Sequence, residues 1–117
     1  MSNRGTNFRE QASAMLPLTE ATYLILLALT EPKHGYGIMQ TVASGGVKIG
    51  PGTLYGALTH LLGQGLIERI GESDPQDRRK LYALTPRGRA VVELECERLE
   101  SMGRIGRQIL KDTKGTR

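Results

Sequence analysis

The chain has 117 residues, 38% of them hydrophobic and 24% charged, which suits one small folded domain and excludes a disordered or fibrous chain. Its net charge of +4 favours a polyanionic partner, such as nucleic acid or an anionic membrane surface. The single cysteine, Cys96, excludes an internal disulfide, and with only His34 and His60 beside it a Cys/His metal site lacks ligands.

No apolar run approaches the roughly 20 residues that span a bilayer. "MSNRGTNFREQASAM" has no apolar segment of the kind a secretory signal carries. With its lone cysteine, the chain is expected to work in a reducing, cytoplasmic compartment.

Residues 1 to about 9 are polar and read as a frayed arm. A short helix is predicted over Phe8–Met15, broken by Pro17. "LTEATYLILLALTE" follows, with Thr19 as N-cap; Leu24, Ile25, Leu26, Leu27 and Leu29 make it apolar almost all round, so it is central to the core. Pro32 ends it. "HGYGIMQTVASGG" reads as a second helix with Tyr36, Ile38, Met39 and Val42 as apolar positions, stopped by Gly45 and Gly46. "VKI" reads as a short extended piece.

Pro51 to Gln64 is the third predicted helix, with Pro51 at a favourable first position and Gly65 as its stop. Leu54, Ala57, Leu58, Leu61 and Leu62 form one apolar stripe. The opposite face holds Gly52, Gly56, Thr59 and Gly63, flanked by Thr53, Tyr55 and His60, and from Pro51 to Gly65 there is no charged residue. Each interior glycine costs about 0.5–1 kcal/mol relative to alanine. Close approach to a partner gives such a face a purpose: hydroxyls of Thr53, Tyr55 and Thr59 can reach phosphates or base edges, and the free N–H groups just behind Pro51, near Thr53, can cradle a phosphate. Tight packing against another helix is the alternative use of those glycines.

The pattern then changes to period 2. "LIERIGE" and "RKLYALT" read as strands joined by the turn segment "SDPQDRR", a hairpin whose tip gathers Arg78, Arg79 and Lys80, with Lys48 and Arg69 nearby in sequence. Pro86 opens a last helix running to about Leu110, roughly 37 Å long and longer than a small domain's core requires. Val92, Leu99, Met102, Ile105 and Ile109 form its apolar seam; Glu93, Glu95, Glu97, Arg98 and Glu100 are expected on its outside. The fold class expected is mainly α with a small β-hairpin: a winged helix-turn-helix domain over 16–85, preceded by an arm over 1–15 and followed by a C-terminal dimerisation helix and tail over 86–117.

Three stretches resemble the PadR family of bacterial transcriptional regulators: "HGYGI" at His34–Ile38, "PGTLYGALTHLLGQGLI" at Pro51–Ile67 and "RRKLYALTPRG" at Arg78–Gly88. The resemblance spans about Leu16 to Gly88, and the lone C-terminal helix is similar to the short subgroup. It implies a homodimeric repressor on an inverted-repeat operator, with release by a small molecule common in the family. It implies DNA-facing roles for Lys48, Thr53, Tyr55 and Thr59, with Arg78 and Arg79 in the wing; Pro51, Gly52 and Lys80 complete the candidate DNA-binding set. Gly35 and Tyr36 are expected to set the entry of the second helix. Gly50 stands where the family commonly has serine, Gly56 where a bulkier residue is frequent, and Leu81 where a polar or aromatic one is common.

The dimer is expected to form through Val92, Leu99, Met102, Ile105 and Ile109. Met15, Leu18, Leu99 and Met102 are candidates for an effector cavity shared between subunits, with a plain dimer core as the alternative use of such residues. No cofactor or metal is called for. The competing functional class is a winged-helix protein-interaction module whose wing arginines meet an acidic partner. An enzyme is not supported, because no paired carboxylates, nucleophile–base set or phosphate-binding loop emerges.

Overall fold

Backbone punctuation sets the element boundaries. The computed structural model describes residues 4–71 and 80–113. Helix α1 (Arg4–Ser13) starts earlier than the predicted Phe8 and ends before Pro17. Helix α2 (Glu20–Ala28) is capped by Thr19, whose hydroxyl oxygen accepts the Thr22 N–H at 3.1 Å. Strand β1 (Lys33–His34) leads into α3 (Gly35–Ser44), and Gly45 and Gly46 end that helix as expected. Gly46 takes φ +91°, a left-handed conformation that suits glycine.

Helix α4 (Pro51–Gly63) follows, then β2 (Ile67–Ile70), β3 (Leu81–Leu84) and α5 (Pro86–Asp112). Gly65, at φ +74°, reverses the chain between α4 and β2. Thr85 caps α5: its hydroxyl oxygen accepts the Gly88 N–H at 3.0 Å while donating to the Gly65 carbonyl at 2.7 Å. One side chain thus starts the last helix and ties it to the end of α4.

The predicted hairpin forms, with Arg69 opposite Tyr82 and Ile70 opposite Leu81. A third strand joins it. Lys33 pairs with Tyr82 and His34 with Leu81, so the antiparallel order is β1-β3-β2. His34 is therefore a strand residue and the N-cap of α3, while Val47–Ile49 joins no strand. A two-residue strand has no period to read in a sequence; it exists because β3 offers an edge.

The core lies where α2, α3, α4 and α5 converge on this small sheet. Ile25, Leu26, Leu29, Ile38, Val42, Leu54, Leu58, Leu61, Leu66 and Val91 are all fully buried. The α4 stripe is as predicted: Leu54, Leu58 and Leu61 point inward, with Ala57 and Leu62 partly covered beside them.

Two expectations for α5 are corrected. Val92, assigned to the dimer seam, is 3% exposed and belongs to the chain's own core. Glu95, assigned to the outside, is 1% exposed. It lies at helical spacing from Val91, Val92 and Leu99, on the inward stripe, and its burial is compensated by hydrogen bonds. Its carboxylate accepts the backbone N–H of Leu18 at 2.7 Å and two bonds from the Arg98 guanidinium.

Candidate nucleic-acid interface

The outer face of α4 is bare. Pro51, Gly52, Thr53, Tyr55, Gly56, Thr59, His60 and Gly63 are exposed, and a Cβ added at Gly50, Gly52, Gly56 or Gly63 would meet nothing within 4 Å. These glycines therefore do not serve packing within the chain. The first turn of α4 carries no acidic residue, and its N-cap, Gly50, contributes no side-chain bond. Its N-terminal amides face outward, at the positive end of the helix dipole.

The hydroxyls on this face are not equivalent. Thr59 donates to the carbonyl of Tyr55 at 2.9 Å, so its oxygen faces outward as an acceptor. Tyr55 is 47% exposed, and its phenol tip rests on Gly35 at the start of α3. Thr53 is exposed one turn before Gly56.

A chain of contacts leads from α4 to the wing. His34, next to Gly35, has its Nδ1 3.0 Å from the Lys80 carbonyl. A carbonyl only accepts, so Nδ1 carries the proton in this bond. The "HGY" stretch thus links the α3 entry, α4 and the base of the wing. Lys80 and Arg69 are exposed at the described edges of the hairpin, and Lys48 is exposed in the turn before α4. Arg78 and Arg79 lie outside the described residues. Lys33 is committed elsewhere: its Nζ donates to the Ala28 carbonyl at 2.8 Å.

A model of the "Transcriptional regulator PadR-like family" matches residues 24–94. The chain belongs to this PadR-like family. It is 35% identical over 94 residues to an uncharacterized 37.1 kDa protein in transposon TN4556 of Streptomyces fradiae, a match covering 79% of this chain and 26% of that protein. It is 34% identical over 73 residues to the transcriptional regulator Rv3488 of Mycobacterium tuberculosis (strain ATCC 25618 / H37Rv), covering 61% of this chain and 66% of the relative. The chain thus spans about a quarter of the first relative and just under two thirds of the second. Among solved structures, a PadR family transcription regulator from Clostridium difficile R20291 superposes with TM-score 0.69 at 26% identity, covering 79% of this chain and 99% of that one.

Away from α4, the PadR-like chain has a cavity of about 220 Å³ lined by Leu18, Glu20, Tyr23, Leu24, Gly45, Val47, Glu95 and Leu99. It joins Leu18 and Leu99 of the predicted effector set; Met15 and Met102 do not line it, and the Met102 sulfur accepts from Arg98 at 3.4 Å. The hydrogen bonds from Arg98 hold the Glu95 carboxyl below the usual glutamate range, aided by the Leu18 N–H and opposed by burial. Beside it, a hydrogen bond to Cys96, followed by burial, pushes the Tyr23 phenol up to about 12. Both groups thus keep their ordinary charge states at neutral pH. The exposed apolar residues Leu99, Met102, Ile105, Ile109 and Leu110 run along the outer length of α5. Among the described residues no group of His, Cys, Asp or Glu could hold a metal ion, and no helix is long and apolar enough to cross a membrane.

Proposed function

We propose that this chain is a homodimeric transcriptional repressor of the cytoplasm that binds an inverted-repeat DNA operator through α4 and the wing. The observation that carries this reading is the bare, uncharged outer face of α4, with open glycines, no acid in its first turn and outward amides. Such a helix can enter a major groove without a side chain in the way. Amides of Gly52 and Thr53 behind Pro51 hold a phosphate, while Tyr55, Thr53 and Thr59 meet base edges or the backbone. Lys48, Lys80 and the wing arginines Arg78 and Arg79 supply sequence-independent attraction.

The exposed stripe Leu99–Met102–Ile105–Ile109 is the self-association face in this reading. A two-fold pair then sets the reading helices about 34–36 Å apart, one DNA turn. A small apolar effector fits the cavity at Leu18 and Leu99, where it touches Val47, in the turn leading into α4.

Fluorescence anisotropy tests the reading with two duplexes at about 150 mM salt: the DNA upstream of the chain's own coding sequence, and a scrambled duplex of equal length. The upstream duplex is expected to bind more tightly by about a hundredfold or more, with affinity falling steeply as salt rises. Equal, weak binding of both would sink the repressor reading and favour a protein-interaction module.

A further inference from the structure

The glycine at position 35 is not explained by its backbone. Among the described residues only Gly46 and Gly65 have positive φ, so Gly35 holds a conformation open to any L-residue. It is buried at the first position of α3, and helix propensity there favours alanine. The constraint comes from Tyr55, on a different helix. A Cβ at position 35 would overlap the Tyr55 hydroxyl and stand 3.1 Å from its Cζ, while the Leu54 Cδ2 is at an ordinary 3.6 Å. Gly37, two residues on, is a natural contrast: a Cβ there would lie 3.6 Å from the nearest Lys33 atom, a normal contact.

We infer that Gly35 is a positioning residue for Tyr55: its bare Cα is the seat for the phenol tip, and it fixes where the ring stands on the reading face. Its value for DNA recognition rests on the assignment of Tyr55 to that face; the seat itself does not. The seat also lies one residue from His34, which bonds the wing base at Lys80. A displaced Tyr55 therefore disturbs the relation between reading helix and wing, besides its own contact.

Four full-length variants test this: Gly35→Ala, Gly37→Ala, Tyr55→Phe and the double variant Gly35→Ala/Tyr55→Phe. Each is followed by thermal melting, by ¹⁹F NMR of fluorotyrosine-labelled protein and by anisotropy on the upstream duplex. Gly35→Ala should lower Tm, against its helix propensity, and shift the Tyr55 resonance. Gly37→Ala should do neither. Because the colliding atom is the hydroxyl oxygen, the double variant should recover more than half of the lost Tm. Affinity for the upstream duplex should fall about tenfold in Gly35→Ala and stay unchanged in Gly37→Ala.

The inference is overturned if Gly35→Ala melts at or above the parent with the Tyr55 resonance unmoved. It is equally overturned if the double variant melts as low as Gly35→Ala. Persistent coupling in melting and NMR, with upstream-duplex binding indifferent to Tyr55, supports the seat and removes Tyr55 from the reading set.

Discussion

The carboxylate of Glu95, on α5, accepts the backbone N–H of Leu18 at 2.7 Å across 77 residues of sequence. The contact fastens the last helix to the segment just before α2. The same carboxylate is held from the other side by Arg98. A buried carboxylate with donors on both sides is costly to disturb, because deleting it strands the backbone N–H of Leu18 and leaves the partly exposed Arg98 guanidinium to solvent. Glu95→Ala is therefore expected to destabilise the fold by about 2–3 kcal/mol in denaturant melts, with Glu95→Gln milder because it keeps an acceptor.

The same contact sets a pH dependence. Glu95 titrates below the ordinary glutamate value of 4.5 in the folded state. Its contribution is then complete above that value and is lost as pH falls through the lower, folded value. Acid titration of stability should show a steeper loss below about pH 4.5 in the parent than in Glu95→Gln. Superimposable acid limbs would show that the carboxylate is not the group responsible.

Gly88 and Gly63 should respond in opposite directions to alanine. A Cβ at Gly88 would overlap the carbonyl oxygen of Leu66 and crowd Leu84, so α5 could not sit against the α4–β2 turn. Gly88→Ala should destabilise by about 2 kcal/mol or more. Gly63 has open space around it at the last position of α4, and Gly63→Ala should stabilise by a smaller amount, up to about 0.5 kcal/mol. Urea melts of both variants check this pair; a stable Gly88→Ala would mean that α5 can move away without loss.

The stripe on α5 predicts the assembly state. Ile105 and Ile109 make no part of the chain's own core, yet are large, apolar and exposed. Sedimentation equilibrium should find a dimer for the parent and a monomer for Ile105→Glu, with helicity retained by circular dichroism. A monomeric parent would remove the two-fold arrangement from the account.

Much of this fold was legible because its signals are local. Thr19 as a cap, Pro51 and Pro86 as helix starts, Gly46 and Gly65 as stops, and the leucine stripe of α4 depend only on near neighbours in the chain. The misreadings concern pairs distant in sequence. Glu95 looked like one more surface acid, although its spacing from Val91 and Leu99 pointed inward; its partner, Leu18, leaves no mark on the α5 pattern. Val92 sat at a plausible seam spacing but lies before the helix leaves the core. His34 joined a strand because β3 offered an edge, and Gly35 answers to Tyr55. For the outer face of α4, residue types were legible, while the bond from the Thr59 hydroxyl to the Tyr55 carbonyl came only from geometry.

The central claim is that the amino end and outer face of α4 meet DNA, and Gly52→Glu tests it most directly. Gly52 is exposed with nothing within 4 Å, and the first turn of α4 has no acid. Glutamate there replaces a glycine and suits the helix dipole, so stability should rise by about 1 kcal/mol. The same carboxylate would stand where a phosphate is expected, so anisotropy should show upstream and scrambled duplexes both weakened by about tenfold or more. A variant that melts higher and loses DNA separates binding from folding. A variant that melts higher and holds the upstream duplex within about twofold of the parent would contradict the claim.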